Sequence, residues 1–280
     1  KIGNIKFVRF SHNDIQDRLL FCNCIIHSSV MLNYKFLKKK LRYDEFFDIL
    51  TYWQNNMEKL NGWNSLYVEN HDQPRFISRI CEDQNYLREC AGLVATMLLT
   101  LKGTPYIYQG QEIGTSNVAF ESIEDYQDIW TMNHYNESLE LGHQPDEILK
   151  RIHCRSRDNA RTPMQWNSDS QAGFTDGTPW MKPNPQYKIV NVEDALQDTE
   201  SIFYLYQKLI AFKKSDDVLI NGLFERLKTN SERVFAYTRS DGSNRRLILL
   251  NFSAQEQSYD EITIGDYELL FSSQKQSDSS

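Results

Sequence analysis

The sequence predicts an α/β protein in which helices alternate with short buried strands. Residues 43–62 carry a helical pattern of apolar side chains, and the aromatic and aliphatic run over residues 63–68 is long enough for one buried strand. The polar sequence Asn70-His71-Asp72 comes directly after it. A second helical pattern, a second short strand and a second polar loop repeat this order, which is typical of a βα barrel or a doubly wound sheet.

The first helix is predicted from apolar residues that recur on one helical face. Asp44 and Glu45 favour its N-terminal end, because negative charge is stabilising at the positive end of the helix dipole. Gly62 is placed to end the helix. The apolar face consists of Phe46, Leu50, Trp53, Met57 and Leu60.

A second helix is predicted after the polar loop, with Gly103 and Pro105 as its stop signals. The run Tyr106-Ile107-Tyr108 is then predicted to be a short strand, which breaks at Gln109-Gly110-Gln111-Glu112. The apolar residues of the helix, at helical spacing, are Leu87, Cys90, Ala91, Val94, Met97, Leu98 and Leu101.

Residues 120–178 are rich in Asn, Asp, Ser, Gly and Pro and show little periodicity, apart from one helix predicted near residues 146–152. A loop of this length inside a compact domain is usually functional. It contains a dense polar cluster that starts at Ser156 and ends at Trp166, unlike a flexible Gly and Ser linker.

A third helix and a small antiparallel domain are predicted beyond this loop. Asp198 or Thr199 is the expected N-cap of the helix, and Asp241-Gly242 is a hairpin signal between two strand-like runs. The helical stripe contains Ile202, Leu205, Tyr206, Leu209 and Phe212. The strand-like runs cover residues 224–227, 234–238, 247–251 and 262–264.

Composition excludes several classes of function. The 280 residues carry a net charge of -7, which argues against a nucleic-acid partner. No apolar run is long enough to span a membrane, and no signal peptide is visible. The five Cys residues have irregular spacing, which suggests free thiols in a reducing compartment and therefore a cytoplasmic protein. No metal site and no cofactor are expected.

The position of His71 and Asp72 at the end of a predicted strand is what indicates chemistry. In βα folds, polar residues just beyond the carboxyl end of a strand are where active sites lie. The alternative is a polar turn with Asp72 as a cap, and the pair by itself does not decide between the two.

Three long motifs, in this order, resemble the α-amylase family of glycoside hydrolases. The resemblance is strongest to its oligo-1,6-glucosidases, trehalose-6-phosphate hydrolases and dextran glucosidases, and it covers roughly residues 43–252. The motifs are Asn70-His71-Asp72-Gln73-Pro74-Arg75, the stretch from Gly103 to Gly114, and Arg157-Asp158-Asn159-Ala160-Arg161-Thr162-Pro163-Met164-Gln165-Trp166.

The resemblance implies the C-terminal part of a (β/α)8 barrel followed by a small antiparallel β-sandwich. Residues 43–216 would form the partial barrel, with Asp72 at the end of its seventh strand and Tyr106–Tyr108 as its eighth. Residues 217–280 would form a truncated sandwich, and residues 1–42 stay unassigned. The resemblance also implies an oligosaccharide substrate and a monomer when the protein is complete.

The same resemblance assigns the site residues. Asp72 is expected to be the catalytic acid that stabilises the transition state, without being the nucleophile or the proton donor. His71 and Arg157 would bind the sugar, and Asp158 would help to position it. A structural ion pair is the alternative for Arg157 and Asp158. Glu112 is expected to be structural, because the family's proton donor lies elsewhere.

The sequence also departs from the family pattern. The motifs that carry the nucleophile, an Asp near an Arg, and the acid Glu are both missing, so this chain alone is expected to be inactive. Thr115 stands where Met is usual, and Trp130 where Glu is usual. Three interpretations follow: part of an α-1,6-glucosidase, part of a trehalose-6-phosphate hydrolase, or an inactive homologue that binds a sugar or a protein.

Overall fold

A computed structural model describes residues 41–81, 84–259 and 268–273 of the chain. Nearly all of the unassigned segment 1–42 and the predicted strand at 262–264 lie outside these residues. None of the helices in the described ranges is long and apolar enough to cross a membrane.

Helix α1, Tyr43–Lys59, confirms the first helical prediction. Phe46, on the predicted face, is buried in the core, and so is Phe47, which the prediction did not include. The helix ends where Asn61 adopts a positive φ of 50° and the Gly62 N–H donates to the Met57 carbonyl at 2.7 Å. Leu60 was wrongly placed on the apolar face: it follows the last helical residue and is 77 % exposed.

Two short parallel strands follow, β1 (Ser65–Leu66) and β2 (Thr104–Pro105). Ser65 pairs with Thr104 and Leu66 with Pro105. Between the two strands lie α2 (Ile77–Ile80), a 3-10 turn at Gln84–Tyr86 and α3 (Leu87–Thr100). The order strand, helix, parallel strand is the one that the sequence predicted.

The second strand was predicted at Tyr106–Tyr108, two residues too late. The Tyr106 N–H still donates to the Leu66 carbonyl at 2.7 Å, but β1 leaves the ladder after Leu66 and the pairing with β2 ends there. Gly103 allows the close approach of the two strands: its φ is +140°, and a Cβ atom there would lie 2.5 Å from the Asn64 carbonyl oxygen.

The long polar segment contains more helix than its sequence predicted. It forms α4 (Ile129–Glu140), α5 (Pro145–Arg155) and α6 (Asp158–Arg161), and α7 (Val192–Gln197) follows it. Only α5 was anticipated, near residues 146–152. Helix α5 contributes two buried residues to a second apolar cluster, and Tyr135 of α4 packs against it. The buried members of this cluster are Val118, Phe120, Tyr126, Ile148, Ile152 and Met181.

Helix α8, Ile202–Ser215, confirms the third helical prediction, but its N-cap is Ser201. Asp198 was one of the two expected caps. It is the C-cap of α7 instead, and its carboxylate accepts the Glu200 N–H at 2.9 Å. Thr199, the other, precedes Ser201 by two residues.

The C-terminal part consists of α9 (Asp217–Asn221) and three antiparallel strands in the order β3-β4-β5. The strands are Leu223–Arg226, Val234–Ser240 and Arg245–Asn251. The predicted hairpin turn joins β4 to β5: the Asp241 carboxylate accepts the Asn244 N–H at 2.7 Å, and Gly242 has a φ of +94°. The described residues form one sheet here, and the second sheet of a sandwich stays a prediction.

One core joins this sheet to the helices. Phe47 of α1 stacks on Phe235 of β4 with ring centroids 4.7 Å apart. Buried residues of α3 and α8, among them Val94 and Leu209, belong to the same cluster. The boundary predicted between residues 216 and 217 therefore runs through a shared apolar core, and the division into domains stays a prediction.

Candidate active site

The loop that carries Asp72 is fixed from below by a buried ion pair. The Arg75 Nη1 atom lies 3.2 Å from the Glu69 carboxylate, and both side chains are at most 2 % exposed. The other oxygen of Glu69 accepts the Phe76 N–H at 2.8 Å. Because the two charges close the loop on the protein side, the residues between them are held toward solvent.

Arg75 also joins the three sequence motifs. Its guanidinium donates to the Gln109 carbonyl at 2.7 Å, in the second motif, and to the Asn159 carbonyl at 3.2 Å, in the third. The Tyr108 hydroxyl donates to the Ala160 carbonyl at 3.0 Å. A single buried cation thus brings together backbone segments that are far apart in sequence.

His71 and Asp72 lie at the exposed rim of this assembly, beyond β1. The side chain of His71 is 70 % exposed and that of Asp72 is 46 % exposed, and the His71 Nε2 atom lies 3.3 Å from an Asp72 carboxylate oxygen. The Asp72 N–H donates to the Asn70 side chain at 2.8 Å. The carboxylate is therefore held at the surface, where a ligand can reach it.

Two arginines of the third motif contact Asp72. The Arg161 Nη2 atom lies 2.8 Å from the Asp72 carboxylate, and Arg157 Nη1 lies 3.5 Å from the same oxygen. Arg161 also donates to the His71 carbonyl at 2.7 Å. The structure therefore brings together three of the four predicted site residues, namely His71, Asp72 and Arg157.

A second carboxylate, Asp128, faces the same two arginines from inside the protein. One of its oxygens lies 2.5 Å from Arg157 Nη2 and 3.5 Å from Arg161 Nη1, and its side chain is only 2 % exposed. The hydrogen bond from Arg157 to Asp128 raises the pKa of the Arg157 guanidinium above its ordinary value. Arg157 is therefore a permanent cation between two anions.

The fourth predicted residue, Asp158, lies behind the cluster. It is 1 % exposed, and its carboxylate accepts the N–H groups of Gln127 at 2.7 Å and Asp128 at 2.9 Å. Burial raises the pKa of Asp158, and these two hydrogen bonds oppose the rise. Direct contact of Asp158 with a sugar stays a prediction, while its observed contacts hold the segment that carries Asp128.

One apolar cleft of the described residues lies away from this cluster. It encloses about 520 Å³ between Glu112 and helix α8, and neither Asp72 nor its arginines line it. Burial raises the pKa of Glu112. Glu112 lines this cleft together with Tyr206 and Ile107, apart from the Asp72 cluster, and its structural role stays a prediction.

Arg75, Arg161 and Asp128 were not predicted as site residues from the sequence. Two of them stood in quoted motifs: Arg161 follows Arg157 by four residues, and such a spacing places both on one face of a helical turn. Asp128 carried a weaker signal. It is the N-cap of α4 and accepts the Thr131 N–H at 3.3 Å, but helix caps occur throughout proteins.

The two lesser departures from the family pattern lie beside the site. Trp130 follows Asp128 by two residues and stacks on His134 with ring centroids 5.3 Å apart. Thr115 is buried, at 3 % exposure, and its side chain packs so close to Gly110 that a Cβ atom added to this glycine would contact it. Among the described residues, no group of three or more His, Cys, Asp or Glu side chains could hold a metal ion.

Comparison with known proteins shows the family to which the chain belongs. Residues 6–222 match a family profile described as the catalytic domain of alpha-amylase, and this match begins inside the segment that the motifs left unassigned. An oligo-1,6-glucosidase of Bacillus cereus is 46 % identical over 225 residues, which are 79 % of this chain and 40 % of the relative. A glucan 1,6-alpha-glucosidase of Streptococcus pneumoniae is 44 % identical, over 79 % of this chain and 41 % of its own length.

Solved structures give the same result. The crystal structure of trehalose-6-phosphate hydrolase from Bacillus licheniformis superposes with a TM-score of 0.81 at 38 % identity, covering 86 % of this chain and 44 % of that one. The chain spans about 40 % of the length of the curated relatives that it matches. Such neighbours imply a (β/α)8 barrel, which confirms the barrel part of the fold prediction and leaves the sandwich untested. The chain belongs to the α-amylase family of glycoside hydrolases, of whose catalytic domain it carries a part.

Proposed function

We propose that this chain is the C-terminal part of a retaining α-glucosidase that hydrolyses α-1,6-glucosidic bonds of isomalto-oligosaccharides. The observation that carries the proposal is the half-exposed Asp72 carboxylate, held at the rim by Arg161 at 2.8 Å and Arg157 at 3.5 Å. The relatives named oligo-1,6-glucosidase, at 46 % identity, support the choice of linkage.

Asp72 would act as the acid that binds sugar hydroxyls and stabilises the transition state. Retaining glycosidases use a nucleophilic carboxylate and an acid roughly 5–5.5 Å apart, with an oxocarbenium-like transition state. Hydrogen bonds that tighten as the sugar ring flattens lower the barrier. Asp128, whose carboxylate is buried against two arginines, is poorly placed for either of the other two roles.

His71 and Arg157 would complete the sugar contacts. His71 has an imidazole that is 70 % exposed beside Asp72, so it can donate to a hydroxyl of the same sugar. Arg157 contacts Asp72 and Asp128 while its side chain stays 33 % exposed. The planar guanidinium can therefore hold carboxylates and a sugar hydroxyl together. Asp158 would contribute to positioning.

The finer architecture belongs to the same proposal. β1 would be the seventh strand of the (β/α)8 barrel and β2 the eighth, and the sheet β3-β4-β5 would be one layer of a C-terminal β-sandwich. We further propose a cytoplasmic location, because the cysteine spacing suggests free thiols, and a monomeric complete protein.

Two other functions have a specific observation in their favour. The solved trehalose-6-phosphate hydrolase superposes on 86 % of the chain, which favours a phosphorylated disaccharide as substrate. The absence of the nucleophile and acid motifs from this sequence favours an inactive homologue that binds a sugar or a protein partner.

The deciding experiment is an assay of the protein made from the complete coding sequence that includes this chain. We expect hydrolysis of isomaltose that exceeds hydrolysis of trehalose 6-phosphate, and a loss on the order of 10²–10³ in kcat for Asp72→Ala. Asp48→Ala, which removes an exposed carboxylate of α1 paired with Arg226, is the matched control and keeps the activity. Preference for trehalose 6-phosphate would favour the second function, and no hydrolysis of either sugar the third.

A further inference from the structure

Asp72 belongs to a closed ring of four charged side chains, whose other members are Arg157, Asp128 and Arg161. Each arginine contacts both carboxylates. Arg161 lies 2.8 Å from Asp72 and 3.5 Å from Asp128, whereas Arg157 lies 3.5 Å from Asp72 and 2.5 Å from Asp128. Two anions and two cations alternate, so the ring is neutral. The two carboxylates differ in exposure, with the Asp72 side chain 46 % exposed and the Asp128 side chain 2 % exposed.

We propose that Asp128 is a positioning residue, which fixes the orientation of the Arg157 and Arg161 guanidinium groups relative to the Asp72 carboxylate. This inference rests on the function proposed above, in which Asp72 stabilises the transition state. Nothing in the sequence motifs or in the family resemblance assigned a role to Asp128.

Asp128 is itself anchored on three sides. Its second oxygen, Oδ2, accepts the N–H of Thr131 at 3.3 Å and the hydroxyl of Thr131 at 3.1 Å, at the start of α4. Its own N–H donates to Asp158 at 2.9 Å. The Thr131 hydroxyl also lies 2.9 Å from that of Ser156. The carboxylate therefore cannot turn away without breaking the cap of a helix.

The consequence is a chain of fixed contacts that runs from the interior to the rim. Long arginine side chains lose much rotational freedom when they are ordered, and an exposed ion pair alone rarely restrains them. Asp128 supplies the restraint from a buried site, at 2 % side-chain exposure, where ionic contacts are stronger. Misplacing a catalytic contact by about 1 Å can cost on the order of 10² in rate, which is why such a restraint matters.

The test compares two buried N-cap aspartates that each bind arginine. In Asp128→Asn the amide oxygen can still cap α4, but the charge that holds the two guanidiniums is gone. Asp216→Asn is the matched control: Asp216 caps α9 by accepting the Val218 N–H at 2.9 Å and pairs with Arg246 at 2.6 Å, in the C-terminal part of the chain.

The first readout is the rate at which phenylglyoxal modifies each arginine, mapped by mass spectrometry on this chain. We expect Asp128→Asn to accelerate modification of Arg157 and Arg161 several-fold and to leave Arg246 unchanged. Asp216→Asn should do the opposite. Unchanged rates at Arg157 and Arg161 in Asp128→Asn would overturn the inference.

The second readout is kinetic, in the complete protein on isomaltose. We expect Asp128→Asn to lower kcat on the order of 10²-fold with a smaller change in KM, while Asp216→Asn changes kcat little. Faster modification of Arg157 and Arg161 without a loss of kcat would show that Asp128 is only structural. Inactivity of the unmutated protein would instead reject the proposed function, and with it the catalytic role of the four charged residues.

Discussion

The Glu69 carboxylate and the Arg75 guanidinium meet 3.2 Å apart in the interior, directly beneath the loop that carries His71 and Asp72. Between them, these two side chains bind the Phe76 N–H, the Gln109 carbonyl and the Asn159 carbonyl. The loop that carries Asp72 thus lies on a buried charge pair. The further hydrogen bonds of Arg75 also fix the backbone segments that contain Gln109 and Asn159.

Neutralising one partner of this pair should be severely destabilising. Glu69→Gln leaves the Arg75 cation, at 2 % side-chain exposure, without its counter-charge, and breaking a buried pair typically costs about 3–5 kcal/mol. Urea unfolding followed by circular dichroism measures the change. Glu45→Gln removes a surface pair with Arg42, in which the side chains are 31 % and 51 % exposed, and should cost less than about 1 kcal/mol. Equal losses in the two variants would contradict this interpretation.

Gly103→Ala should weaken the parallel strand pair. The backbone φ there is +140°, and the new Cβ atom would lie 2.5 Å from the Asn64 carbonyl oxygen, where backbone must move. Gly142→Ala is the control, since Gly142 also has a positive φ, +82°, but has no atom within 4 Å of the added Cβ. We expect about 1–2 kcal/mol for the control from backbone strain alone, and a clearly larger loss of unfolding free energy for Gly103→Ala. A smaller loss at Gly103 would show that the strands separate easily.

The sequence predicted best those elements whose apolar side chains face the core. Helices α1, α3 and α8 were found from their stripes because each one buries aromatic or aliphatic residues against the common core. Helix α4 was missed because its buried residues, Thr131 and Ser138, are both polar, so apolar side chains do not mark its buried face. Helix α5, which was predicted near residues 146–152, buries Ile148 and Ile152, four residues apart.

The site was predictable only where a motif was already recognised. His71, Asp72 and Arg157 stood in quoted motifs, and the structure brings them together. Asp128 completes the ring from a segment without periodicity, 29 residues before Arg157, and only folding shows that the two meet. The predicted strand at 106–108 failed for a related reason: its aromatic composition favours a strand, but the length of pairing is set by where β1 turns away.

Stability should rise with pH above neutrality because of Lys213. Burial, together with the nearby Arg239 cation, lowers the pKa of Lys213 to about 8, although its ammonium donates to the Leu101 carbonyl at 2.8 Å. The unfolded value is near 10.4, so between about pH 8 and pH 10.4 the unfolded chain binds more protons and the folded state gains stability as pH rises.

Urea unfolding at pH 7.5, 9 and 10 measures this effect. The pH-dependent gain should be present in the unmutated chain and in Lys214→Met, whose lysine is exposed, and it should be smaller in Lys213→Met. Other groups titrate in the same range, so the difference between the two variants is the informative quantity. A gain of the same size in both would show that Lys213 is not its source.

This chain by itself should not hydrolyse p-nitrophenyl α-glucoside. Its sequence lacks the motifs for the nucleophile and the proton donor, and a transition-state-stabilising carboxylate cannot replace them, because retention requires two further carboxyl groups roughly 5–5.5 Å apart. Release of p-nitrophenol, followed by its absorbance over hours at high protein concentration, is the measurement. The complete protein serves as the positive control. Turnover by this chain that disappears in Asp72→Ala would show that the described residues contain a working active site, and it would contradict the role proposed for Asp72.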